Sequence, residues 1–96
     1  MKIKLSPQRR DDTLSVVVSG DVIVLNNEVF DFNQLPEGGT LPWGSIDNQW
    51  FVGDVTRKDG DIELTILLPH AQNASYAARF PAPLTVTQNG PVELPV

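Results

Sequence analysis

The chain has no cysteine and a single histidine among its 96 residues. The first absence removes disulfides, thiol nucleophiles and cysteine-ligated zinc, and it suits a reducing compartment. The second leaves His70 as the one side chain whose ordinary titration falls near neutrality. Long apolar runs are missing too. Nothing approaches the ~20 residues of a membrane-crossing helix, and the first residues, MKIKLSPQRRDD, lack the apolar segment of a signal peptide. A soluble protein that is neither exported by the usual signal nor inserted in a membrane is expected. Positive charge is also scarce: seven Lys and Arg against twelve Asp and Glu give a formal charge of −5. The basic residues fall mainly in two small groups, near the N-terminus and around Arg57 and Lys58, so nucleic acid is not an expected partner.

Motifs that carry chemistry are absent as well: no GxSxG, no phosphate-binding Walker loop, no dinucleotide glycine pattern. His70 follows Pro69 at the end of a predicted strand, a place for a structural or solvated imidazole rather than a general base. Asp59, Asp61 and Glu63 resemble a calcium cluster only superficially, because Asp61 and Glu63 share one strand face while Asp59 serves a turn. No catalytic residue, cofactor or metal ligand is expected, and the chain is read as non-enzymatic.

What is present is β-pattern. The segment WFVGDVTRKDGDIELTILLP, Trp50 to Pro69, predicts a hairpin about Asp59-Gly60, a pair suited to the two positive-φ positions of a type I′ turn. That turn sets Lys58 opposite Asp61; Arg57 opposite Ile62, Val55 opposite Leu64, Gly53 opposite Ile66 and Phe51 opposite Leu68 then share the other face, which is almost wholly apolar. Its large side chains bring roughly 1.5–3 kcal/mol each on burial, more than any other segment offers.

Thr13 to Phe32 predicts a three-stranded meander with turns at Ser19-Gly20 and Asn26-Asn27. Val16 then meets Ile23, Leu14 meets Leu25 and Ile23 meets Phe30 on a second core face. The opposite face holds Val17, Val22, Val24 and Val29, where a sheet wet on one side carries polar residues. Two readings stand side by side: another strand or the Phe32 to Gln49 loop covers these valines, or they form a subunit or partner interface.

Met1 to Leu5 alternates as a short edge strand with protective lysines, followed by a solvated turn, SPQRRDD. Asn33 to Gln49 is punctuated by Gly and Pro and is expected to be a long loop, with Ser45 able to cap a single turn. Trp43 within it is either a plug on the core or a contact anchor for protein or sugar. Asn73 is placed to cap a turn of helix in NASYAAR. Leu84 to Leu94 predicts a final hairpin with a three-residue Gln88-Asn89-Gly90 loop, so that residues 81–96 form an edge hairpin or protruding arm in which Pro91 and Leu94 are candidate contacts. Trp43, Trp50 and Tyr76 could together form a sugar-stacking platform, which keeps a carbohydrate-binding module as the alternative reading.

The phrases MKIKLSPQRRDD, DFNQLPEGGTLP, LTILLPHAQNA and FPAPLTVTQNGPVELP, which together span nearly the whole chain, resemble a group of small uncharacterised proteins encoded among the tail genes of tailed bacteriophages and prophages. The resemblance implies a setting, tail structure or assembly in the virion or host cytoplasm, and no mechanism or functional residues. The sequence therefore predicts one all-β domain, a small sandwich or partly open barrel of about seven to eight antiparallel strands with one short helical turn at most. Its expected function is non-enzymatic assembly through protein–protein contacts, with itself or another tail protein, using Val17, Val22, Val24, Val29, Trp43, Pro91 and Leu94.

Overall fold

Apolar and polar residues alternating at a period of two fold into nine short strands in a computed structural model that describes all residues from Met1 to Val96. These are β1 (Lys2–Arg9), β2 (Val16–Ser19), β3 (Val22–Leu25), β4 (Glu28–Asp31), β5 (Thr40–Leu41), β6 (Val55–Lys58), β7 (Asp61–His70), β8 (Leu84–Thr85) and β9 (Gly90–Val92). Helix is confined to one turn, α1 (Tyr76–Arg79), and a 3-10 turn at Trp43–Ser45. The strands make a five-stranded sheet in the order β5-β6-β7-β1-β8 and a four-stranded sheet in the order β4-β3-β2-β9. Their inward faces share one core: Ile3, Val55, Ile62, Leu64 and Ile66 from the first sheet meet Val16, Val18, Ile23 and Leu25 from the second. Phe51 is buried among them, edge-on to Phe30 at 4.8 Å and to Phe32 at 6.2 Å between ring centroids. This is a small all-β fold, as expected, and of the two candidate forms it is the sandwich rather than the partly open barrel. It has nine strands instead of seven to eight and one parallel pair, β1 with β7, among antiparallel ones.

The Asp59-Gly60 turn forms as expected, with φ of 53° and 81°, and it pairs Lys58 with Asp61, Arg57 with Ile62 and Thr56 with Glu63. Farther from the turn the register slips. Phe51 bridges Ile66 rather than Leu68, so two extra residues lie on the β6 side, where Gly53 takes φ 111°. Because the slip is even, no side chain changes face, and Phe51, Ile66 and Leu68 are all buried. The meander differs in the same way. Its first loop is Gly20-Asp21, not Ser19-Gly20, and sets Val16 opposite Leu25 and Val18 opposite Ile23. The Asn26-Asn27 turn and the Ile23–Phe30 pair are as predicted.

Five further expectations fail. The N-terminal segment is not an edge strand ending at Leu5: it continues to Arg9 and lies inside the sheet, parallel to β7 over eight residue pairs. A strand reached only by a long chain excursion announces no partner in its own sequence. The 84–94 segment is not a hairpin. β8 pairs with β1 in one sheet and β9 with β2 in the other, so residues 86–89 cross between the sheets. Leu84, Val86, Val92 and Leu94 nonetheless all pack toward the core, the same set that the hairpin would have aligned. The C-terminal segment is no protruding arm either, since the Val96 carbonyl accepts from Ser75 N at 3.4 Å. The helical turn is capped by Ser75, whose Oγ accepts from Ala78 N at 3.2 Å, and not by Asn73. Nor does Ser45 cap a turn, because Trp43–Ser45 is itself the turn and follows Pro42.

Arg57, on the core face of its hairpin, resolves the conflict between charge and burial by reaching across the sandwich. Its guanidinium donates to Asp21 Oδ2 at 2.8 Å, to the Phe32 and Gly60 carbonyls at 3.0 Å each, and to the Leu35 carbonyl. One side chain thereby ties β6 to the β2–β3 turn and to the exit of β4.

Candidate interaction site

The strands VVVS, VIVL and EVFD carry apolar residues on both faces, so burying one face leaves the other unspent. Val16, Val18, Ile23 and Leu25 turn inward and are buried. The ladder then sets Val29 beside Val24, Val24 beside Val17, and Val17 beside Pro91. These four residues form a single apolar row straight across all four strands of the smaller sheet, on its outer face. Val22 stands in the next row, between Asp31 and Ser19. Neither another strand nor the 32–49 loop covers the row fully: Val17, Val22 and Val24 are half-buried, Pro91 is exposed, and Val29 is 63% exposed.

The structure thus brings Val17, Val22, Val24, Val29 and Pro91 onto one surface. It does not bring Trp43 or Leu94 there. Leu94 is turned against the core. Trp43 opens the 3-10 turn beyond β5, 53% exposed, with its backbone N–H donating to Asp54 Oδ1 at 2.7 Å. The aromatic platform is not assembled either. Trp50 is buried at 5% exposure, Trp43 belongs to the 3-10 turn, and Tyr76 stacks on Phe80 from the single turn of α1.

Polar chemistry elsewhere is spent on local pairing. Arg10 grips Asp12 with Nε at 2.8 Å and a second bond from Nη2, and its guanidinium carbon lies 4.8 Å from the Trp50 ring centroid. The side-chain hydrogen bond between them, with the Coulombic attraction adding in the same sense, raises the Arg10 pKa and holds the Asp12 carboxyl below its ordinary value. This contact with Trp50 is what the sequence, read as a solvated turn, did not disclose. Beside it, a groove of about 330 Å³ is lined by Arg10, Asp12, Leu68, His70 and Leu94 among others. His70 Nδ1 donates to the Ala71 carbonyl at 2.9 Å. No group of three or more His, Asp or Glu side chains is arranged to hold a metal ion, and no helix is long and apolar enough to cross a membrane. Comparison with known proteins found no matching family model, curated protein or solved structure.

Proposed function

We propose that the chain is a non-enzymatic accessory or assembly protein of a phage or prophage tail, and that it works by protein–protein contact through the outer face of its four-stranded sheet. The observation that carries this reading is the row Val29–Val24–Val17–Pro91, apolar across the whole width of a sheet that nothing in the chain fully covers. Exposed side chains in such a row favour burial against a partner, at about 25 cal/mol for each Å² of apolar surface removed from water. The tail setting rests on the resemblance of the four phrases named above. The test is the solution mass by light scattering over a concentration series, repeated with Val24→Asp, together with recovery of partners from cells expressing the neighbouring tail genes. The expected result is an oligomer or a co-purifying tail component that Val24→Asp abolishes while the circular dichroism spectrum is kept. A monomer with no partner at any concentration would overturn the reading.

A further inference from the structure

The sandwich leaves five strand borders free to pair further, and four carry a proline where the backbone points outward. Hydrogen-bonded and non-hydrogen-bonded positions alternate along a ladder, so each turn or cross-strand bond fixes which residues point their N–H and C=O away from the sheet. In β1 the Arg10 N to His70 O bond directs Leu5, Pro7 and Arg9 outward beyond the point where β8 stops pairing at Ile3. In β8 the reciprocal Met1–Val86 bonds direct Thr85 outward, and Pro83 holds the outward position two residues before it. In β5 the two-residue Asp59-Gly60 loop and the pairing with β6 direct Thr40 outward, and Pro42 holds the next such position. In β9 the outward residue is Pro91 itself, because Val17 spends its backbone groups on Val24. Proline has no N–H to offer, so at these places it costs no internal bond while denying one to an incoming strand.

The edge of β4 is the exception. The two-residue Asn26-Asn27 loop makes Leu25–Glu28 and Ile23–Phe30 the hydrogen-bonded pairs, which leaves the N–H and C=O of Val29 and Asp31 directed outward with no proline beside them. Val29, the most exposed valine of the apolar row, stands on this edge.

We infer that β4 pairs antiparallel with β4 of a second copy of this chain about a two-fold axis at Phe30, joining two four-stranded sheets into one of eight strands. The inference rests on the assembly reading above and names its partner. A second copy fits because the edge is self-complementary: with Phe30 opposite Phe30, Val29 of each copy faces Asp31 of the other, and all four outward groups of each protomer find a partner. Moving the axis to Val29 would draw on the Asn27 turn residue, which has φ 70°, and moving it to Asp31 would draw on Asn33, whose N–H is already given to Asp31 Oδ1. The valine rows of the two protomers then lie side by side on one outer surface. Asp31 is already engaged, its Oδ1 accepting from Asn33 N at 2.9 Å and from Asn33 Nδ2 at 2.7 Å, which directs its charge along its own chain.

The test is amide hydrogen exchange of the full chain by NMR across a dilution series, with sedimentation equilibrium on the same samples. The amides of Val29 and Asp31 should exchange slowly in a dimer and quickly on dilution, while those of Leu25 and Phe30 stay protected throughout. Val29→Pro, which removes only an outward N–H, should give a monomer. If that variant does not fold, Val29→Asp supplies the same comparison with the ladder intact, because it sets a carboxylate opposite Asp31 of the second copy. Fast exchange at Val29 and Asp31 in an oligomer that Val24→Asp still disrupts would overturn this inference and leave the assembly reading standing. Protection appearing only on addition of a different tail component would overturn the second copy as partner. A monomer at all concentrations with no partner would overturn both.

Discussion

Asp21 Oδ2 accepts a hydrogen bond of 2.8 Å from Arg57 Nη2, an ion pair that joins the turn of one sheet to a strand of the other. The Arg57 side chain is 12% exposed and that of Asp21 31%, so solvent screens the pair only in part. Arg57→Ala is expected to destabilise by roughly 2–4 kcal/mol, because the Phe32 and Leu35 carbonyls and the Asp21 carboxylate lose one shared donor. Asp21→Asn keeps an acceptor and should cost about 1 kcal/mol. Arg57→Lys should recover little, since a point charge cannot reproduce a planar fork reaching four acceptors. Urea unfolding midpoints decide this, and a wild-type midpoint for Arg57→Lys would discard the fork.

Gly53 sits in the two-residue slip of the central hairpin at φ 111°, where an added Cβ would meet nothing within 4 Å. Any penalty for a side chain there comes from the backbone alone. Gly53→Ala should therefore cost about 1–3 kcal/mol. Gly44→Ala has equal space and no positive φ, and should stay within about 0.5 kcal/mol of wild type. Equal melting temperatures for the two variants would mean that the chain re-registers at Gly53 instead of holding a strained conformation.

These two residues also show how far the sequence carries. A period-two pattern reports which face a side chain occupies, and every core residue of the Phe51–Leu68 hairpin is on the predicted face. It is blind to slips of two, which leave the pattern unchanged, and both register errors, at Gly53 and at Gly20-Asp21, are of that kind. It is equally blind to which strands pair across long separations, so the parallel β1–β7 ladder and the parting of β8 from β9 were invisible. The outer valines were legible because a local departure from alternation marks them. The straight row with Pro91 was not, since it needs the long-range β2–β9 register.

Arg10 lies over Trp50 while bound to Asp12 and to Gln49 Oε1 at 3.2 Å. Because the folded state holds the Asp12 pKa below its unfolded value, the pair contributes stability above about pH 4, and that contribution is lost as pH falls through the lowered pKa. The pair is at the surface, so the effect on global stability is small, but the indole should register it. In a Trp43→Phe background, Trp50 fluorescence should change as pH falls below about 4, and Asp12→Asn should remove that step. An unchanged titration in Asp12→Asn would show that Arg10 is placed by Gln49 and Trp50 alone.

Pro91 and Val29 occupy opposite borders of the four-stranded sheet, one blocked and one open. An isologous pair at a single open border closes on itself, whereas a sheet open at both borders can add copies without limit. Pro91→Val restores an N–H that points away from β2 and disturbs no internal ladder bond, so folding stability should change by no more than about 0.5 kcal/mol. Association should change in kind. Wild type is expected to stop at a dimer, and Pro91→Val to grow into larger, extended assemblies visible by light scattering and electron microscopy. Adding Val29→Pro to Pro91→Val should cut growth back to a dimer, since one open border then remains. A Pro91→Val protein that stops at the wild-type mass would mean that the proline at this border does not guard it, and that edge closure in this fold comes from strand shortness and charge instead.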